Sequence, residues 1–257
     1  MNNKLVQELT EKLYEHFNAK TCFEPLSATH QLNEAQAYEI QKSLVLKRAQ
    51  QLGIGGFKAA TTSPASQQKF GVDHPLSGAL FKNTMLHSGA VIERHSIPNM
   101  LIETEIVYIT AQDINEPLQT IADLKKYFTT AMPGIELPGP MFSAGSAPNG
   151  VDLVTTAANT DSVLNGTPLP LGDIDPNTIK VTVHKDGIPV SEGLGSDSMG
   201  NQWQTLLWLV NQTLAVGYTI KAGHIFYTGA LGTVLPGNPG YYQADFGILG
   251  QVDFTIK

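Results

Sequence analysis

Leu101-Ile102-Glu103-Thr104-Glu105-Ile106-Val107-Tyr108-Ile109-Thr110 is the stretch on which the reading of this chain turns. It is rich in apolar and β-branched residues, with no glycine or proline, and reads as a β-strand. Successive strand side chains alternate faces, so Glu103 and Glu105 point the same way. Two carboxylates side by side on an otherwise apolar strand repel each other and resist desolvation. Either the strand lies at a sheet edge with that face in water, or something positive compensates. A third carboxylate, Glu136, sits in the uncharged stretch Met132-Pro133-Gly134-Ile135-Glu136-Leu137-Pro138-Gly139, exposed on a turn or held by a partner. Three carboxylates suit a hard cation such as Mg²⁺, Mn²⁺ or Ca²⁺ and leave coordination positions open for water and substrate. The seven histidines are scattered without a paired spacing, so a His-rich zinc site is not indicated.

Upstream, Lys58 follows Gly55-Gly56-Phe57 and precedes Ala59-Ala60-Thr61-Thr62-Ser63-Pro64. A lysine among small uncharged residues is either a surface residue at a strand end or a partly buried group with a lowered pKa. Leu5, Leu9, Leu13 and Phe17 recur every four residues, which predicts an amphipathic helix over 3–20. A second helix is predicted over 34–52, with Asn33 as its cap, Gln36 in capping-box position and Gly53 as its stop. Helices are also predicted near 118–131, after Pro117, and over 202–216, stopped by Gly217. Strands are predicted at 179–184, 188–190, 225–228 and 252–256; the first two flank Asp186-Gly187, a hairpin signal. The chain therefore reads as α+β, with a mostly antiparallel β-core and peripheral helices.

Composition narrows the function. The 257 residues are 42% hydrophobic and 15% charged, enough apolar matter for a sizeable core. The net charge is -7 and no basic run exists, which argues against nucleic acid as a partner. The single cysteine, Cys22, rules out a disulfide framework within the chain. The N-terminal run mixes charged and apolar residues, unlike a signal or transit peptide. No apolar stretch is long enough to span a membrane, and the expected compartment is the cytoplasm.

Several motifs, in order, carry a resemblance. They are Gly56-Phe57-Lys58 with Thr62-Ser63-Pro64; Phe70-Gly71-Val72-Asp73-His74-Pro75 with Gly78; Glu103-x-Glu105; and Ile135-Glu136. Then come Leu207-Trp208-Leu209 with Asn211; Lys221-Ala222-Gly223; Thr228-Gly229-Ala230-Leu231-Gly232; and Ala244-Asp245-Phe246-Gly247-x-Leu249-Gly250. Spanning roughly residues 33–257, the chain resembles the fumarylacetoacetate hydrolase family, in the branch of 2-oxopent-4-enoate hydratases and 4-oxalocrotonate decarboxylases. The resemblance implies a fumarylacetoacetase-like fold of layered sheets with a β-roll or grasp-like element. It implies an N-terminal helical region, 1–55, and a catalytic domain, 56–257. It also implies Mg²⁺ or Mn²⁺ held by Glu103, Glu105 and Glu136, a functional Lys58, a small 2-oxo acid substrate and a homo-oligomer. A 2-oxo acid offers carboxylate and keto oxygens as a chelating pair, and a cation there stabilises the enolate formed when C3 loses a proton. Thr62, Ser63, Thr228 and Gly229 are the expected substrate contacts.

This chain departs from the family pattern at informative places. Many relatives carry an acidic residue directly after the proline of Val72-Asp73-His74-Pro75; here it is Leu76, which cannot transfer a proton. The segment Ala157-Ala158-Asn159-Thr160-Asp161-Ser162 is a reduced form of an Asp-Asn-Ala-Ser-like motif; Asp161 is the expected catalytic acid, with Asp73, His74 and His87 as the alternatives. The expected activity is addition of water to a 2-oxo-4-enoic acid. A decarboxylase, an acylpyruvate-type C–C hydrolase and a non-catalytic metal- and acid-binding partner subunit are the alternatives.

Overall fold

The computed structural model describes residues 3–257; the first two residues of the 1–55 region lie outside the described residues. Two helices open the chain, α1 (Asn3–Ala19) and α2 (Glu34–Leu52). Next come β1 (Ile54–Ala60), α3 (Pro64–Phe70), β2 (Leu76–Phe81), β3 (Met85–His87), β4 (Ala90–Ile92), β5 (Leu101–Ile109), α4 (Ile121–Leu124) and β6 (Thr130–Pro138). The remainder is α5 (Gly150–Thr155), β7 (Thr160–Asn165), β8 (Leu169–Pro170), β9 (Lys180–Lys185), β10 (Ile188–Leu194), α6 (Gln202–Val216), β11 (Ile225–Tyr227), β12 (Leu231–Pro236), β13 (Gly240–Asp245) and β14 (Gln251–Ile256).

Local chemistry sets these boundaries. Asn33 accepts the Gln36 backbone N–H, and the Gln36 side chain accepts the Asn33 N–H, closing the capping box that starts α2. Gly217, in left-handed conformation, ends α6. Asp186 and Gly187 both have positive φ, 51° and 82°, the turn that matches the twist of the β9–β10 hairpin.

Nine strands form one sheet, ordered β2-β1-β11-β5-β6-β7-β3, with β12 also beside β5 and β8 beside β6. Five form a second, ordered β10-β9-β13-β14-β4. Pairing is mostly antiparallel; β1/β11, β3/β7 and β4/β14 are parallel. The α+β architecture read from the sequence is the one observed. The main core gathers Phe57, Ile106, Tyr108, Leu206, Phe226 and Phe254. The N-terminal helices have their own core, where Leu9, Leu13, Ile40 and Leu44 meet Leu76, Phe142 and Leu153.

One element differs from expectation. The helix near 118–131 is only the single turn α4, and residues from Thr130 onward pair with β5 as β6. Thr120 caps that turn and buried Leu124 anchors it, but Tyr127, Phe128, Thr129 and Thr130 are aromatic or β-branched and favour extended backbone. The stretch around Glu136, read as a turn or a held segment, is thus a central strand. Pro133 is tolerated there because its carbonyl accepts the Gly166 N–H, placing its missing N–H at the break between β7 and β8.

Two predictions follow from the frame. A Cβ on Gly56 would stand 2.0 Å from the Ile225 carbonyl oxygen, which belongs to the neighbouring strand backbone. Gly56→Ala is expected to destabilise the chain by about 1–3 kcal/mol, read as a lower urea midpoint. At the start of α2, the two ring nitrogens of His74 lie 2.8 Å from Glu34 Oε2 and 2.7 Å from Asp73 Oδ1. The hydrogen bond to Asp73, opposed by partial burial and aided by the Glu34 charge, raises His74 above its ordinary 6.5. A raised histidine stabilises fully below its unfolded pKa, and that stability is lost as pH rises through the folded value. His74→Gln should therefore lower the Tm at about pH 5.5, and the gap to the parent should close by about pH 9.

Candidate metal and substrate site

Residues of β5 alternate between two environments. Ile102, Ile106 and Tyr108 enter the main core, while Glu103, Glu105 and Val107 face the other side. Because β5 lies between β11 and β6, it is no edge strand, and the edge reading of its two carboxylates falls. Antiparallel pairing sets Glu103 directly opposite Glu136. One oxygen from each of Glu103, Glu105 and Glu136 lies within 4.8 Å of the others. Glu105 and Glu136 are fully buried and Glu103 is partly exposed. Lys58 comes from β1, where Phe57 and Ala59 take the core side, so its ammonium enters the same space. It is 3% exposed, and its Nζ lies 2.6 Å from Glu136 Oε1. The surface-lysine reading is therefore wrong.

Charge and burial compete here. Burial, then the charge of Glu136, pushes Glu103 up to about 7, against the opposing pull of Lys58 and Lys69. Burial, then Glu136 and Glu103, pushes Glu105 well above the ordinary carboxylate range. For Lys58, burial acts downward, but the three carboxylates outweigh it and hold the ammonium above its ordinary value. One cation thus faces three acids, and their mutual repulsion is left for a second cation to relieve. The oxygens say the same. Glu136 Oε1 takes Lys58 and the Thr160 hydroxyl at 2.7 Å, and Glu105 Oε2 takes the Gly229 N–H. Glu105 Oε1 and Glu136 Oε2 are buried with no hydrogen-bond partner. Two orphaned carboxylate oxygens among three converging acids fit a hard divalent cation.

The other expected site residues divide. Gly229, at φ 98°, brings its backbone against Thr62, whose side chain fills the place of a Cβ, and donates to Glu105. Thr62 and Ser63 line a cavity of about 370 Å³ that also touches Glu103. Ser63 additionally caps α3 by accepting the Ser66 N–H. Thr228 is fully buried, with its hydroxyl 2.8 Å from Ile106 O and 2.7 Å from Gln202 Oε1, so it fixes the Gly229 segment instead of facing a ligand. Asp161 does not join the cluster. Its neighbour Thr160 points to Glu136, so alternation turns Asp161 away, towards Lys20 Nζ at 4.0 Å and the Ser162 hydroxyl. Leu76 is buried among the N-terminal helices.

A larger cavity, about 510 Å³, is also lined by Glu103. Lys58 and Glu103 stand at one end; Phe70, Leu101, Phe142 and Leu153 make apolar walls. Lys69 and Asn159 also line it, and neither had been singled out as a site residue. Lys69 is an exposed residue on a short helix and carries no sequence signal. Asn159 lies in the reduced motif, where its neighbours drew the attention.

No family model matches the chain. Individual relatives do. It is 30% identical over 222 residues to 2-keto-4-pentenoate hydratase of Burkholderia vietnamiensis, covering 86% of this chain and 85% of that protein. The chain belongs to the 2-keto-4-pentenoate hydratase family. A similar relative, TodF product hydratase of Pseudomonas putida, is 29% identical over 201 residues, 78% of this chain and 74% of that one. The chain is accordingly a hydro-lyase. Among solved structures, 4-oxalocrotonate decarboxylase from Pseudomonas putida G7, complexed with magnesium and adipate, matches with TM-score 0.92 at 22% identity, over 100% of this chain and 99% of that one. Fumarylpyruvate hydrolase from Pseudomonas aeruginosa, with Mn²⁺ and pyruvate, matches with TM-score 0.59 at 11% identity, over 78% of this chain and 88% of that one. Both likenesses are of fold, and they agree with the fumarylacetoacetase-like architecture.

The donor set makes a measurable prediction. Mn²⁺ added to the metal-free protein should raise its Tm, and EDTA should reverse the gain. Glu105→Gln or Glu103→Gln should weaken Mn²⁺ by at least about tenfold in calorimetry while leaving the far-UV circular dichroism unchanged, since each removes an anionic ligand.

Proposed function

We propose that the chain adds water to a 2-oxo-4-enoic acid such as 2-oxopent-4-enoate, with Glu103, Glu105 and Glu136 holding Mg²⁺ or Mn²⁺. The observation that carries this is the trio of converging carboxylates, two of them fully buried with a partnerless oxygen each, beside Lys58. Held by these three carboxylates, a divalent cation would supply positive charge against the negative charge that develops on the 2-oxo acid's oxygens. Lys58 holds a proton in a water-poor pocket, because its pairing with Glu136 favours the ammonium. Its role is to move that proton to and from the substrate carbon skeleton and to complement substrate negative charge. Thr62 and Ser63 share a cavity with Glu103, the Gly229 backbone packs against Thr62, and the three fit a role in binding substrate oxygens. The apolar walls of the larger cavity suit the hydrocarbon end of such an acid.

The reading as a non-catalytic metal- and acid-binding subunit has one feature in its favour: Leu76 stands where an acid–base carboxylate is expected, and it is core. Cytoplasmic location and a homo-oligomer complete the proposal. Cys22 is free and exposed, which suits a reducing compartment. Among the described residues no helix is long and apolar enough to cross a membrane. Exposed Ile188, Val190 and Leu194 on β10 lie close to exposed Val234 on the adjoining β12, a surface that a second copy would cover.

The test is an ultraviolet assay with 2-hydroxypenta-2,4-dienoate and NMR identification of products. Metal-dependent, EDTA-sensitive loss of the chromophore to 4-hydroxy-2-oxopentanoate is the expected result. Lys58→Met should lower kcat by about 10²–10⁴-fold, the usual cost of losing a proton-transfer group. Release of CO₂, or cleavage into two fragments from other 2-oxo acids, would replace the hydratase by a sibling activity. Metal binding without turnover of any 2-oxo acid would make the chain a binding subunit.

A further inference from the structure

Three consecutive residues that are not glycine, Ala157, Ala158 and Asn159, hold left-handed backbone, at φ 52°, 57° and 61°. Alanine resists this conformation because its Cβ crowds the following carbonyl, and such strain concentrates at functional sites. Tertiary packing imposes it here. A Cβ on Gly78 would stand 2.3 Å from the Ala157 carbonyl oxygen, so β2 admits the turn only through glycine. The backbone of Asn159 is satisfied, its N–H by the Thr156 carbonyl at 3.0 Å and its carbonyl by the Gly139 N–H at 2.9 Å. Its side chain is what the turn leaves over. Asn159 is 5% exposed, lines the larger cavity with Lys58 and Glu103, and its Oδ1 is buried without a hydrogen-bond partner. The next residue, Thr160, donates to Glu136, and the cavity that Asn159 lines also reaches Lys58 and Glu103.

A buried amide oxygen without a donor is costly unless a ligand supplies one. The ends of a 2-oxo acid cannot, since its carboxylate and keto oxygens only accept. Water can, and so can the hydroxyl that water becomes. We propose that Asn159 is a substrate-contacting residue whose carboxamide oxygen accepts a hydrogen bond from the water to be added and then from the product's 4-hydroxyl. This rests on the hydratase reading. In that addition the 2-oxo-4-enoic acid first shifts its double bond into conjugation, C3 losing a proton and C5 gaining one; the water oxygen then bonds to C4 as one of its O–H bonds breaks and gives up a proton, the C3=C4 π pair takes up a proton at C3, and the water's other proton stays in the 4-hydroxyl. Asn159 gains and loses no proton; it orients the O–H.

The experiment compares the parent with Asn159→Ala and with Asn159→Gly, the glycine accepting the left-handed backbone without strain should the alanine variant fold poorly. With Mg²⁺ bound, calorimetry measures oxalate, 2-oxopentanoate and 4-hydroxy-2-oxopentanoate. The parent is expected to bind the hydroxylated acid about five- to tenfold tighter than 2-oxopentanoate, the size of one net hydrogen bond. The variants should lose that preference and lose kcat for hydration, while Mg²⁺ and oxalate affinities stay within about twofold, because neither meets the carboxamide. A parent without the preference, variants that keep it, or Mg²⁺ and oxalate affinities that fall in parallel would overturn the proposal. A parent that shows the preference yet leaves the dienoate unchanged would instead remove the hydratase reading.

Discussion

Three carboxylates and one ammonium meet inside the molecule, on strands whose other faces are packed into the main core. Coulomb energy at such short range is large in a low-dielectric interior, and desolvation of each charge adds to it. Lys58 cancels one negative charge, through Glu136. The remainder needs protons or another cation, which is why burial drives Glu103 and Glu105 upward and why two oxygens are left without partners. The arrangement is unfavourable as folding energy and informative as function: a fold retains such a cluster where a ligand compensates it.

The sheet exists in a form that makes this cluster possible. Register places Glu103 across from Glu136, and β11 between β1 and β5 brings Lys58 in from two strands away. Elements outside the sheet then fix the ligands. The segment after β11 turns at Gly229 to donate to Glu105, and Thr228 is tied to α6 through Gln202. The left-handed turn before β7 sets Thr160 on Glu136 and Asn159 in the cavity. The two N-terminal helices cover Leu76, Phe142 and Leu153, and the last two also wall the larger cavity. Metal end, proton group and cavity wall therefore come from different parts of the chain, and packing holds them to one another.

Much of the site was legible because strand alternation is a local rule. Glu103 and Glu105 share a face whatever the rest of the chain does, while an isolated Glu136 or Lys58 among uncharged residues is either exposed or held by a partner, and spacing alone leaves that choice open. Capping at Asn33, the Asp186-Gly187 turn and the Gly217 stop are likewise decided within a few residues. The helix near 118–131 failed because the start signal at Pro117 competes with aromatic and β-branched residues whose extended form is stabilised by pairing with β5, a partner far away in sequence. Asp161 failed for a related reason: it was picked for its chemistry, while the register of β7 turns its neighbour Thr160 inward and Asp161 outward.

By itself the sequence determined the residue types: three acids for a hard cation, one lysine, an α+β pattern and a family likeness carried by ordered motifs. Tertiary structure alone decided that β5 is central and not an edge, that Lys58 is buried against Glu136, and that Thr228 and Leu76 belong to the scaffold. It also decided that Asn159 faces the cavity from strained backbone. The physical reason is the same in each case. Burial and charge pairing depend on which distant segments pack together, and neither propensity nor spacing along one segment contains that information.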